Sequence, residues 1–121
     1  MGKNDKLIAV ALFNTEHNQY LATDYEAFTI FRSKGLLAHL IKKNHFQAAK
    51  YLDDLPEIIT NPDYIGLNGT SFEMVKCYKE NIFITIKLDV KKNQYFVATM
   101  FDIKKGKLDS YVESGRLIKI T

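Results

Sequence analysis

The first apolar block of the chain, Leu7-Ile-Ala-Val-Ala-Leu-Phe13, is continuous and gives way to the polar stretch Asn14 to Gln19. That pattern fits either a buried strand or a short helix. Phe28-Thr-Ile-Phe-Arg32 alternates and is rich in strand-forming residues, and Ser33 follows in the position of a helix N-cap. From Lys34 to Asn44 the residues Leu36, Leu37, Leu40 and Ile41 recur at helical spacing. This predicts a helix with all four in one buried stripe. A second helical stretch, Phe46 to Leu55, is punctuated by Pro56, with one further turn and a stop predicted by Pro62. Asp63 to Thr70 holds Gly66 and Gly69 and is predicted to be loop.

Beyond residue 70 the period changes from helical to twofold. Phe72 to Tyr78, Ile82 to Val90 and Gln94 to Ile103 are separated by short polar turns, which predicts an antiparallel meander. In the middle run Ile82, Ile84, Ile86, Leu88 and Val90 alternate with Phe83, Thr85, Lys87 and Asp89, so one face of the sheet should be fully buried. Thr99 is placed on the same strand face as Tyr95, Val97 and Phe101. Arg116-Leu-Ile-Lys-Ile120 supplies a last strand after the turn-rich stretch Lys104 to Gly115. Helices first and sheet second is an α+β plan.

A chain of 121 residues is the size of one domain. Hydrophobic residues at 46% and charged residues at 26% argue for a folded protein. The net charge of +3 helps the chain approach a polyanion but is small enough to be ordinary surface charge. Cys77 is the single cysteine, which rules out an intrachain disulfide and suits a reducing, cytoplasmic setting. No signal peptide, membrane span, linker or repeat is expected from the pattern.

The chemistry-bearing residues point away from metal and nucleotide sites. There is no HExxH, no cysteine pair and no calcium-loop pattern, and the glycines lack a phosphate-loop context, so no metal or other cofactor is expected. The densest cluster is His39-Leu-Ile-Lys-Lys-Asn-His45, with two imidazoles and two ammonium groups close together. Cutting RNA without a metal needs such groups. The ribose 2′-hydroxyl must lose a proton, the leaving 5′-oxygen must gain one, and imidazole titrates near neutral pH. Charge growing on the phosphoryl oxygens calls for fixed cations, for which Lys42, Lys43 and Arg116 are candidates. Lys42, Lys43 and His45 also suit the solvated end of a helix, where the macrodipole favours cations, with His39 a boundary histidine. Thr99 is either a good strand former or a hydroxyl donor to phosphate. Tyr51, Tyr64, Tyr78 and Phe83 are either packing residues or base-stacking platforms.

Ser33-Lys-Gly-Leu-Leu-Ala-His-Leu-Ile-Lys-Lys-Asn-His45 and Tyr51-Leu-Asp-Asp-Leu-Pro-Glu-Ile-Ile-Thr-Asn-Pro-Asp-Tyr-Ile-Gly66 resemble the phage-associated branch of the barnase/EndoU/colicin/RelE-like nuclease superfamily. The resemblance continues through Ser71–Lys76, Asn81–Asp89, Tyr95–Met100 and Gly115–Lys119, and so covers about residues 28–120. It implies one nuclease-like domain over 1–121, with 28–120 as the family-like core and 1–27 as an N-terminal extension or first strand or helix. The implied fold is N-terminal helices packed on a four-stranded antiparallel sheet.

The implied activity is that of a toxin-type or phage-effector endoribonuclease, cutting tRNA or mRNA without metal to 2′,3′-cyclic phosphate and 5′-hydroxyl ends. His45 becomes the leading general acid/base, assisted by Lys43 or His39, while Thr99 and Arg116 position and neutralise the phosphate. Lys42, Ser71 and Lys87 are the RNA-binding positions. The implied partners are RNA and an antitoxin or immunity protein. An RNA-binding or phage-associated interaction module that keeps the fold without turnover is the rival reading.

Overall fold

In the computed structural model, which describes residues 6–120, the first apolar block forms β1 (Leu7–Leu12). It pairs antiparallel with β2 (Thr29–Ser33). The strand prevails over the helix because β2 supplies partners for its backbone groups. A 3₁₀ turn (Thr15–His17) and the one-turn helix α1 (Asn18–Leu21) join the two strands. Asn18 fixes the return: its Oδ1 accepts from Thr23 Oγ1 and the Tyr25 N–H, and its Nδ2 donates to the Tyr25 carbonyl.

Next come α2 (Leu36–Lys42), α3 (Phe46–Ala49), a 3₁₀ turn at Leu52–Asp54 and α4 (Leu55–Thr60). The continuous helix expected over 46–55 is therefore broken after Ala49. Pro56 opens α4 instead of closing its predecessor, because a first-turn residue has no N–H to pair within the helix. Ser33 ends β2, and its Oγ accepts from the Gly35 N–H one turn ahead of α2. Leu36 and Leu40 are buried, whereas Leu37 and Ile41 are exposed. The expected four-residue stripe is thus half as wide, since α2 meets the core along a single i, i+4 row.

The remaining elements are β3 (Tyr64–Asn68), β4 (Ser71–Cys77), β5 (Asn81–Asp89), β6 (Gln94–Asp102), α5 (Lys105–Glu113) and β7 (Ile118–Lys119). Seven strands lie in the order β1-β2-β6-β5-β4-β3-β7. All neighbours are antiparallel except β2 and β6, which run parallel through Ile30↔Tyr95 and Phe31↔Phe96. The class is α+β, but the sheet is neither four-stranded nor purely antiparallel, and two strands precede α2. Hydrophobic period reports which residues are apolar, not which distant strands pair; the β2–β6 contact joins positions far apart in sequence.

Two further departures have local causes. The predicted loop over 63–70 is strand β3 plus a two-residue turn, with Gly69 at φ +64° supplying the positive φ that such turns need. Its glycine count concealed the alternation of Tyr64, Ile65, Gly66 and Leu67. The stretch expected to be turns before Arg116 contains α5, whose Leu108, Tyr111 and Val112 share one helical face over the sheet.

Each face of the sheet has its own apolar cluster. On one side α2, α3 and α4 cover Ile65, Phe72, Met74, Ile82, Ile84, Ile86, Val97 and Met100 in the larger core. On the other, α5 covers Val75, Phe83 and Phe101 together with Leu117. The β5–β6 register jumps from Thr85↔Thr99 to Ile86↔Val97, so Ala98 is a bulge. The bulge reverses which face the strand shows. Thr99 and Phe101 therefore look away from the face of Tyr95 and Val97, contrary to the simple alternation expected.

Candidate active site

On the α5 side, the sheet register lines up Gly66, Glu73, Thr85 and Thr99 across β3, β4, β5 and β6. Directly opposed residues present their side chains on the same face. Strand spacing puts Glu73 about 10 Å from Thr99, with Thr85 between them. This row lies one residue pair beyond the part of the face that α5 fills. Thr85 is half-buried and Thr99 exposed.

Glu73 is the unusual member: a carboxylate only 3% exposed, set between the buried Phe72 and Met74. Such a charge is costly unless it is paired. Arg116 pairs it bidentately, with Nε 2.8 Å from Oε1 and Nη2 2.6 Å from Oε2, and Asn68 Nδ2 reaches Oε2 at 3.4 Å. The hydrogen bonds to Glu73 push the Arg116 pKa further up. The guanidinium also lies 4.0 Å over the ring of Tyr111 on α5. Its side chain is 34% exposed, so one edge of the cation faces solvent.

The sequence around Arg116 explains how it gets there. Gly115 turns the chain out of α5 at φ +83°, and its N–H donates to the Val112 carbonyl. Leu117, 1% exposed, anchors the next residue in the smaller core. Between these points the Arg116 backbone passes directly over Gly66, where a Cβ would overlap its carbonyl oxygen. Gly66 is therefore a glycine because another strand of backbone occupies the place of its side chain.

The expected site residues divide into groups. Arg116, Thr99, Ser71 and Lys87 share this face, Ser71 two residues before Glu73 on β4 and Lys87 two after Thr85 on β5. His45, between α2 and α3, places its ring 6.0 Å from that of Phe101, the next residue after Thr99 on the same face. His45 thus lies beside the neighbouring row at the β6 side, one same-face step along the strand from Thr99. His39 lies on α2 beside a shallow pocket of about 350 Å³ lined by Gly35, Phe96, Val97 and Ala98. Lys42 and Lys43 are exposed at the end of α2. Arg116 and Asn68, not His39, Lys42 or Lys43, are the residues bonded to Glu73, and Arg116 is about two strand spacings from Thr99.

The tyrosines considered as stacking platforms are otherwise engaged. Tyr51 and Tyr78 stack on each other at 4.3 Å, with hydroxyls donating to Glu80 and Asp54. Phe83 is covered by α5, and Tyr64 packs against the same cluster.

Glu73, Thr85 and Tyr111 were not anticipated. A signal for Glu73 did exist: it is the one ionisable side chain among Phe72, Met74 and Val75, in a strand buried on both faces. His17 was also missed. It is buried, its Nδ1 has no partner, and burial lowers its pKa. It borders a separate polar pocket of about 390 Å³ with Asp63 and Lys76. There Lys76 Nζ already donates to the Asn61 carbonyl, and Asp63 already accepts from the Cys77 N–H.

A half-open sheet face bearing a carboxylate, a guanidinium, two hydroxyls and a flanking imidazole has the parts needed for proton transfer at a phosphate. Residues 8–110 match the family described as phage-Barnase-EndoU-ColicinE5/D-RelE like nuclease3. The chain belongs to this nuclease family, and membership suggests a nuclease-type function. The matched span includes His45, Glu73, Thr85 and Thr99 and ends before Arg116. No curated protein and no solved structure matches the chain. No helix of the described residues is long and apolar enough to cross a membrane.

Proposed function

We propose that residues 1–121 form one nuclease-like domain that cleaves RNA endonucleolytically without a metal or other cofactor. In this reading residues 28–120 form the core and 1–27 extend it. The observation that carries it is the Gly66–Glu73–Thr85–Thr99 row with Arg116 laid over it and His45 beside the neighbouring row. Glu73 takes the proton of the ribose 2′-hydroxyl as that oxygen attacks phosphorus. The bond to the 5′-oxygen breaks, and His45 supplies the proton the leaving oxygen needs. The products are a 2′,3′-cyclic phosphate and a 5′-hydroxyl.

Arg116, shared between Glu73 and the substrate, offsets the charge that grows on the phosphoryl oxygens, and Thr85 and Thr99 donate to them. Lys43 or His39 assists from α2, while Lys42, Ser71 and Lys87 hold the flanking backbone. Substrate is tRNA or mRNA in the cytoplasm of a bacterial host or target cell, and an antitoxin or immunity protein restrains the enzyme. One observation favours a non-catalytic RNA-binding module instead: both Glu73 oxygens are already held by Arg116.

The test is to incubate wild type, His45→Ala and Arg116→Ala with a defined RNA in excess chelator and to identify the new ends. Wild type should give chelator-resistant cleavage with 5′-hydroxyl ends, reduced in both variants. Binding of intact RNA with no new ends would establish the module; cleavage abolished by chelator and restored by a divalent cation would overturn the metal-free mechanism.

A further inference from the structure

The surface formed by α2 and α3 has two properties, the first of which the nuclease reading leaves unused. First, it exposes large apolar side chains. Leu37 and Ile41, one helical turn apart on α2, are 43% and 49% exposed, and Phe46, which opens α3, is 55% exposed. The turn between the helices is tight: Asn44 adopts φ +62° and the His45 N–H donates to the Leu40 carbonyl. Phe46 is thereby brought back beside the end of α2. Single exposed apolar residues are ordinary, but three on adjoining helices form a ridge.

Second, this ridge lies within a sequence stretch of one-sided charge, in which Lys50 is already paired with Glu80. From Ala27 to Leu52 there are five basic residues and no aspartate or glutamate. The whole protein carries only +3, so the remainder is net negative. Lys34, just ahead of α2, and Lys42 and Lys43 at its end are all exposed.

Together these features select among occupants. RNA gains from cations and from flat aromatic or guanidinium surfaces, but branched aliphatic side chains such as Leu37 and Ile41 offer it little. A second copy docking through the same face would set its cations against their own kind. An acidic protein surface carrying aliphatic or aromatic side chains satisfies both the ridge and the lysines at either end of α2. We propose that the Leu37–Ile41–Phe46 ridge is the docking site for an acidic protein partner.

The probe is a synthetic helical peptide with leucines at i, i+3 and i+4 and glutamates elsewhere, beside a control in which alanine replaces leucine. Each is titrated into isotope-labelled protein. The leucine peptide should shift the amides of Leu37, Ile41 and Phe46, and Leu37→Ser/Ile41→Ser should weaken it by about tenfold or more, the scale of a lost apolar anchor. The thermal midpoint of that variant should stay close to wild type, since both positions are exposed.

Equal binding of the two peptides, equal binding by wild type and variant, or shifts elsewhere would overturn the proposal. So would single-stranded poly(A) shifting the same amides and losing affinity with the same substitution, which would assign the ridge to RNA. RNA cleavage without peptide binding refutes only the docking site. Peptide binding at the ridge by a protein that leaves RNA intact supports the docking site and refutes the nuclease reading.

Discussion

The two faces of the sheet are built to different rules. Under α2, α3 and α4 the side chains of Ile82, Ile84, Ile86, Met74 and Met100 are fully buried and none is ionisable. On the α5 side the filled region stops at Val75, Phe83 and Phe101, and the next row holds Glu73, Thr85 and Thr99. The first face is the larger source of fold stability, because apolar burial contributes about 25 cal/mol per Å². The second keeps a charge pair whose carboxylate is buried, and such pairs are often replaceable by apolar residues at little loss of stability. Its retention makes sense if the pair acts on a ligand.

The largest expected effect breaks the comparison on the polar side. Glu73→Gln, which keeps shape but not charge, should lower RNA cleavage per folded molecule by about 10²–10⁴-fold, the range for a general base. Gel-resolved rates, normalised to the folded fraction by circular dichroism, check this. Retained cleavage would show the row to be structural.

On the apolar side the effect should reverse in kind. Ile84→Ala should cost about 2–5 kcal/mol in urea unfolding, with cleavage per folded molecule near wild type. A comparable loss of cleavage in the folded fraction would mean the faces are not separable.

Gly66→Ala sharpens the comparison at the seam. The added Cβ meets the Arg116 carbonyl, so β7 must shift, at about 1–3 kcal/mol by analogy with overpacking. Cleavage should fall with it, because Arg116 leaves Glu73. Destabilisation with unchanged cleavage would detach Arg116 from the chemistry.

The smallest effect concerns the clamp between the helices and the β4–β5 turn, where Glu80 accepts from Tyr51 and Lys50. The Tyr51 hydroxyl, then Lys50, pull Glu80 down to about 2. With the folded value below the unfolded one, this contribution is complete above about pH 4.5 and disappears as the pH falls from there towards about 2. Glu80→Gln should therefore flatten the urea midpoint between pH 5 and pH 3 relative to wild type, to an extent limited by solvent screening. An unchanged slope would remove Glu80 from acid stability.

How much of this could be read from the residues depended on whether the information was local. The meander, α2 and the α+β class follow from period alone, and the resemblance to the nuclease family is carried by contiguous stretches such as Ser33–His45 and Tyr51–Gly66. The β2–β6 pairing does not, since nothing in Ile30 or Tyr95 names its partner. Thr99 was singled out, but its face was assigned by strict alternation, and one bulge residue, Ala98, reverses that. Arg116 was a candidate, yet its carboxylate partner lies 43 positions away, and Gly66, which admits its backbone, read as a loop signal. The basic cluster His39 to His45 drew attention because its members adjoin in sequence, while the row around Glu73 is assembled from different strands.

The central claim, that the Glu73 row is where RNA is held for cleavage, is tested most directly with an oligonucleotide that carries 2′-deoxyribose throughout and so cannot undergo the transesterification. Titrated into isotope-labelled protein, it should shift the amides of Ser71, Glu73, Thr85 and Thr99 and the side-chain Nε–H of Arg116. Shifts confined to the pocket beside His17, or none on the row at saturating oligonucleotide, would contradict the account.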